Sequence, residues 1–220
     1  MFTFPTTLFG KAPLAATFIN SYNLGGGTSP SVSASIGTAA ADRYVFILVS
    51  GYRNANNQGA VTSVTIGGNT ATLHANIGGG SIAATLAACV AGLLVPSGTS
   101  ATVVVNFSDS FTDSGIGVIA VTGLNSTTPF DSDAVLAGTG GIVGSISANI
   151  DVPGNGLMLA VEADIGNGAH TWTNATEVYE GDVTVTYTGT LDVNLAAQSG
   201  RTVTCSSANS TRALALATFS

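Results

Sequence analysis

Short runs of apolar and small polar residues recur along most of the chain and are separated by turn-forming residues. Some runs alternate, as in 31–36 (SVSASI), which is typical of a strand with one buried face. Others are continuously apolar, as in 44–49 (YVFILV), which is typical of a strand buried on both faces. Strand-like runs at a spacing of about 8–12 residues, with no long capped helical pattern, predict an all-β protein with an antiparallel β-sandwich.

One segment of the pattern occurs twice. Residues 31–51 read SVSASIGTAAADRYVFILVSG, and residues 145–164 read SISANIDVPGNGLMLAVEAD. The similarity continues through the later strands, so we predict two sequence repeats, 31–123 and 145–220, joined by a Gly-rich bridge. We expect residues 1–30 to form an N-terminal arm and a first strand. We expect the repeats to interlock in one sandwich over 31–220, and two tandem sandwiches are the alternative.

Two local patterns refine the strand assignment. Gly67 and Gly68 stand before Asn69 between two alternating runs, which predicts a tight hairpin because glycine readily adopts the positive φ that such turns need. Residues 82–95 have apolar positions at roughly helical spacing, but the matching run TLDVNLA of the second repeat alternates. We therefore predict a strand for the later half of this run.

The first 16 residues contain three phenylalanines and two prolines without a clear period. They predict an extended arm. Phe2, Phe4 and Phe9 would form an unfavourable apolar surface on a free monomer, so we expect them to dock. The site of docking is either the sandwich of the same chain or a neighbouring subunit.

Composition narrows the possible partners. Only 8% of the 220 residues are charged and the net charge is −7, with five basic residues in all. This balance argues against nucleic acid and against an anionic membrane surface as partners. The longest apolar stretch, 82–95, is too short to cross a bilayer. Residues 1–18 lack the pattern of a signal peptide, so we expect synthesis in the cytoplasm without export.

The chain has few residues suited to catalysis or metal binding. His74 and His170 lack a HExxH or HxH partner, and no GxSxG motif is present. Cys89 and Cys205 occupy non-equivalent positions of the repeats, so we expect two buried free thiols. We therefore predict no catalytic residues, no cofactor and no metal site.

Acidic residues near the end of the second apolar run offer the main alternative. Glu162 and Asp164 should project to one face of a strand, and Glu177, Glu180 and Asp182 are expected in a loop. Paired carboxylates could serve a glycoside hydrolase. The competing interpretation is that these residues form the solvated rim of an acidic sandwich. This rim, and the rim at Arg43 and Tyr44 of the first repeat, are where we expect a partner to bind.

Trp172 and Tyr179 lie close to these carboxylates in the sequence. Their rings could stack on a sugar, so a carbohydrate-binding module is a further hypothesis. Loop aspartates could in principle take Ca²⁺, but the EF-hand spacing is missing and solvated turn positions are the default. These loop residues are Asp109, Asp113, Asp131 and Asp133.

Several segments together resemble a broad group of phage-encoded and prophage-encoded virion proteins. The segments are TSVTIGGNTATL, VPSGTSATVVVNF and IGVIAVTGL in the first half, and QSGRTVTCSS and RALALATF in the second. The resemblance implies a jelly-roll-like β-sandwich that coats or decorates a tailed-phage particle. It implies no catalytic residues.

We therefore expect a non-enzymatic virion structural protein, with a phage capsid decoration (cement) protein as the first hypothesis. A tail or fibre component and a carbohydrate-binding sandwich are the alternatives. The expected partners are the major capsid protein or other virion proteins, and further copies of the same chain. The expected location is the virion.

Overall fold

The computed structural model describes residues 12–55, 59–81, 84–137, 144–166, 168–182, 186–208 and 211–220. Phe2, Phe4 and Phe9 lie outside these ranges. Within them the paired strands are antiparallel and no helix is present, which confirms the predicted all-β class. Accordingly, the described ranges hold no apolar helix of membrane-spanning length.

Nine strands form the first half of the described chain. They are β1 Ala15–Asn23, β2 Ser31–Ser35, β3 Tyr44–Arg53, β4 Val61–Ile66, β5 Asn69–Thr70, β6 Thr72–Ser81, β7 Ala84–Leu94, β8 Ser100–Phe107 and β9 Asp113–Thr122. Eight strands form the second half. They are β10 Asp131–Ala137, β11 Ser145–Val152, β12 Gly156–Asp164, β13 Thr171–Thr173, β14 Glu177–Asp182, β15 Thr186–Leu195, β16 Gln198–Ser206 and β17 Arg212–Phe219.

Four sheets contain these strands, two in each half. The first half has an inner sheet, β1-β9-β3-β7-β6, and an outer sheet, β2-β8-β4-β5. The second half has an inner sheet, β10-β17-β12-β15-β14, and an outer sheet, β11-β16-β13. The strand orders correspond position by position, except that β5 has no counterpart in the outer sheet of the second half. Each of these sheets draws its strands from one half only.

Three apolar cores hold the sheets together. Successive side chains of β3 point to opposite faces of its sheet, so Val45, Ile47 and Val49 face the outer sheet of the same half. Tyr44, Phe46 and Leu48 point the other way, into a middle core that they share with β12 and β17. A third core lies between the inner and outer sheets of the second half. The order of layers is therefore outer, inner, inner, outer.

Two glycines allow close packing in the middle core. The Tyr179 ring occupies the space that a Cβ atom would take at Gly117 of β9 and at Gly189 of β15. The ring also stacks on Phe18, with centroids 5.4 Å apart. The two inner sheets thus pack through aromatic side chains that contact the backbone of glycine residues.

Of three local predictions, two are confirmed and one is wrong. The hairpin is confirmed, because Ile66 pairs with Asn69 across Gly67 and Gly68, whose φ values are 59° and 82°. The strand in the later half of 82–95 is also confirmed by β7. The predicted loop after Trp172 is wrong, because Glu177–Asp182 forms β14 and pairs with β15. This segment, EVYEGD, has no simple apolar alternation that would have indicated a strand.

Candidate functional site

The interior of the second half contains a cluster of charged side chains, which we call the buried ionic cluster. Its members are Glu162, Asp164, His170, Glu180, Cys205 and Arg212. Glu162 and Asp164 continue the face of β12 that starts with Met158 and Ala160, so their predicted common orientation is confirmed. Both carboxylates are completely buried. The prediction of a solvated rim is therefore wrong for these two residues, because the outer sheet covers this end of β12, whereas Glu180 is exposed.

Arg212 supplies a permanent positive charge to the cluster. It is the first residue of β17, pairs with Asp164 in the strand register and is 0% exposed. Its Nε donates a 2.7 Å hydrogen bond to Oε1 of Glu162. One terminal nitrogen donates to the Gly144 carbonyl and the other lies 3.3 Å from Sγ of Cys205. The guanidinium therefore links the carboxylate of one sheet to the thiol of the other.

His170 lies just before β13 and contacts three carboxylates. Its Nε2 is 3.1 Å from Oδ2 of Asp164 and 3.1 Å from Oε2 of Glu162. Its Nδ1 is 3.0 Å from Oε1 of Glu180, which also accepts the backbone N–H of His170. Burial by itself would lower the imidazole pKa, but the hydrogen bond to Asp164 and the close carboxylate of Glu162 raise it to about 10.

Neutral groups complete the surroundings of the cluster. The hydroxyl of Ser207 donates a 2.6 Å hydrogen bond to Oδ2 of Asp164. Burial raises the pKa of the Cys205 thiol, and the negative charge of Glu162 raises it further. Burial also raises the pKa of Glu177, whose Oε1 lies 3.0 Å from the Thr188 hydroxyl. Both shifts reflect the low polarity of the interior and the excess of carboxylates around it.

The two predicted sugar-stacking residues lie in different cores. Trp172 is half-buried, packs against the core of the second half and donates its indole N–H to the Thr188 hydroxyl. Tyr179 is 7% exposed and belongs to the middle core, on the other face of the inner sheet. The structure does not bring their rings together on one surface.

The loop aspartates and the two rim residues of the first repeat have structural partners. Asp109 pairs with Arg53 at 2.9 Å, and Asp131 accepts the backbone N–H of Asp151. Arg43, which was expected beside a partner-binding rim, is 1% exposed. Its guanidinium donates to four backbone carbonyls, those of Gly37, Val95, Ser97 and Gly98. The rim prediction is thus wrong for the first repeat as well.

The cluster is sealed from bulk solvent. The side chains of Glu162, Asp164 and His170 are 0% exposed, and only Glu180, at 30%, reaches the surface. A substrate cannot approach the three buried groups without separation of the sheets. The arrangement is therefore suited to holding an ion or a charge network in place.

Sequence reasoning missed the cluster because its members come from four strands and one loop across residues 162–212. No local motif spacing joins them. One feature of the sequence does indicate a buried charge, because Arg212 stands directly before the alternating alanines and leucines of the segment RALALATF. Both histidines, which lack the sequence motifs of metal ligands, are buried. Both cysteines are free and buried, as predicted.

Comparisons of the chain with protein-family models, with curated proteins and with solved structures find no match.

Proposed function

We propose that this chain is a non-enzymatic virion structural protein, specifically a phage capsid decoration (cement) protein that stabilises the shell through subunit contacts. The observation that carries this proposal is the small number of charges on the surface. The chain has 5 basic and 12 acidic residues, 17 in all. Among those whose burial the structure describes, five are at most 5% exposed, namely Arg43, Asp113, Glu162, Asp164 and Arg212.

A surface with so few long charged side chains suits permanent contact with other subunits. Covering Ser, Thr and Gly costs less rotamer entropy than covering Lys, Arg or Glu. The centres of protein interfaces are also depleted of charged residues. Phe130 and Leu94 add exposed apolar contacts, with 59% and 52% of their surface accessible. These features support assembly rather than turnover of a small substrate.

The buried ionic cluster supports the non-enzymatic part of the proposal. A catalytic acid or base must come within hydrogen-bond reach of its substrate. Glu162, Asp164 and His170 are enclosed between two sheets. The carboxylates that suggested a glycoside hydrolase therefore contact protein groups.

The first test is association with particles. Particles from the organism that encodes the chain are purified on a density gradient, and the copy number of the chain relative to the major shell protein is measured by quantitative mass spectrometry. We expect co-sedimentation at a fixed ratio to the shell protein. Recovery of the chain only in the soluble fractions would contradict the proposal.

The second test concerns the arm. Replacing Phe2, Phe4 and Phe9 with Ser should abolish binding to particles, because burial of each ring contributes roughly 1.5–3 kcal/mol. The matched control replaces the same three residues with Leu, which keeps much of the apolar surface and should keep binding. The Tm of both variants should equal that of the wild type. Unchanged occupancy of the Ser variant would exclude the arm as the attachment element.

A further inference from the structure

Three possible ligand atoms converge in the buried ionic cluster. Glu162, His170 and Cys205 each offer one ligand atom, and these atoms lie within 4.8 Å of one another. A second carboxylate oxygen, Oδ2 of Asp164, is 3.1 Å from Nε2 of His170. We propose that this cluster is a structural zinc site with four protein ligands. The ligands are Glu162, Asp164, His170 and Cys205.

The distances around His170 are close to those of a tetrahedral site. Zinc bonds to imidazole nitrogen and carboxylate oxygen measure about 2.0–2.2 Å, so two such ligands on a tetrahedron lie about 3.3–3.6 Å apart. Nε2 of His170 is 3.1 Å from both Oε2 of Glu162 and Oδ2 of Asp164. Both carboxylate oxygens thus lie slightly closer to Nε2 than two ligands of one zinc ion would.

Hydrogen bonding alone does not satisfy these atoms. Nε2 of His170 carries a single proton, and its hydrogen-bond geometry is met with Asp164. Oε2 of Glu162 is fully buried and accepts no hydrogen bond from the residues that the structure describes. A buried carboxylate oxygen without a donor is costly. A divalent cation among Oε2, Oδ2 and Nε2 satisfies it.

The remaining contacts are those of a second shell that orients metal ligands. Nδ1 of His170 faces Glu180 at 3.0 Å, which forms the carboxylate–histidine pair common in zinc proteins. Arg212 donates to the other oxygen of Glu162 and to Sγ of Cys205. Ser207 donates to Asp164. Each proposed ligand therefore has a second contact that fixes its orientation.

Charge and proton balance are also favourable. Zinc would replace two protons, one on Nε2 of His170 and one on the Cys205 thiol, so the net charge of the buried set is unchanged. The thiol is disfavoured as a thiolate by its carboxylate neighbours, and a bound cation reverses that effect. The mixed nitrogen, sulfur and oxygen donors suit zinc, and four protein ligands make a closed, structural site.

The first experiment measures metal content of the full chain. Wild-type protein is produced in zinc-supplemented medium, purified without chelator and analysed by inductively coupled plasma mass spectrometry. We expect about one zinc ion per chain. We expect the same value for Cys89→Ser, a matched control because Cys89 is also free and fully buried. We expect at least a roughly tenfold loss for Cys205→Ser and Glu162→Gln.

A second experiment uses the wild-type chain, so that poor folding of a variant cannot obscure the result. Cobalt(II) is exchanged into the protein, and the absorption spectrum is recorded. We expect intense visible bands from a tetrahedral ion and a charge-transfer band from a thiolate ligand, both retained in Cys89→Ser. Wild-type protein with less than about a tenth of a metal ion per chain and no such bands would overturn the proposal.

Discussion

The two halves of the molecule have the same strand order but different interiors. In the first half, the face of β3 directed at the outer sheet is Val45, Ile47 and Val49, and its neighbours are apolar. In the second half, the corresponding face of β12 begins with Met158 and Ala160 and then continues with two carboxylates. The same strand arrangement therefore forms with either an apolar or a charged interior, so buried charge is not required for this architecture.

One pair of positions makes the comparison concrete. Val49 pairs with Cys89 on one side and Ile116 on the other. Glu162 pairs with Thr188 and Leu214 in the matching strands of the second half. Removal of ionised groups from water costs several kcal/mol per ion, and apolar residues of similar volume usually serve stability as well or better. The charged interior thus points to a role beyond folding, such as the proposed zinc site.

The strongest test of the comparison moves the charge to the other half. Val49→Glu places a carboxylate in the apolar core between the inner and outer sheets of the first half. We expect a loss of about 4 kcal/mol or more in the free energy of unfolding at pH 7, measured by urea denaturation. Leu94→Glu is the control, because Leu94 is 52% exposed. Equal effects of the two substitutions would show that the interior of the first half tolerates a buried carboxylate.

A smaller effect is expected from breaking the cluster itself. Arg212→Met keeps much of the side-chain volume but leaves Glu162 without its 2.7 Å partner. We expect a loss of roughly 3–5 kcal/mol in the free energy of unfolding. The control is Arg53→Met, which removes a partly exposed ion pair with Asp109 and should cost about 1 kcal/mol or less. Comparable losses in these two variants would contradict the assignment of Arg212 as a buried counter-ion.

The smallest effect concerns the histidine outside the cluster. His74 packs against Phe46 and Phe219 in the middle core, and the Tyr44 hydroxyl lies 3.2 Å from its Nε2. Burial lowers its pKa to about 4. In the unfolded chain the imidazole is protonated near pH 6.5, whereas in the folded chain it is protonated only near pH 4. The unfolded state therefore binds more protons between these values, and acidification through this range lowers the free energy of unfolding.

The expected slope from His74 is at most about 1.4 kcal/mol per pH unit between roughly pH 6 and pH 4. Urea unfolding of the wild type and of His74→Gln across this range measures it. The variant should lose this part of the pH dependence while retaining the contribution of the carboxylates. Identical slopes in the two proteins would show that His74 is protonated in the folded state.

Much of the strand pattern was predictable because it follows local rules. Residues 44–49 lie in β3 and are buried on both faces, as their continuous apolar run indicates, and the Gly67–Gly68 turn follows from glycine conformation alone. The charged segment of β14 was not predictable. It forms a strand because it pairs with β15 at the edge of the inner sheet and because the Tyr179 ring fits between glycines of two strands. Such tertiary contacts override local propensity.

The candidate site, like the fold, was predictable only in part. The common face of Glu162 and Asp164 follows from the period of a strand. Their burial and the approach of Arg212 depend on pairing between residues nearly 50 positions apart. The sequence by itself determined the class of fold, the turns and the side of the strand on which each carboxylate lies. Only the tertiary structure decided that these carboxylates are buried with a histidine, an arginine and a thiol, because burial depends on which sheet covers a face.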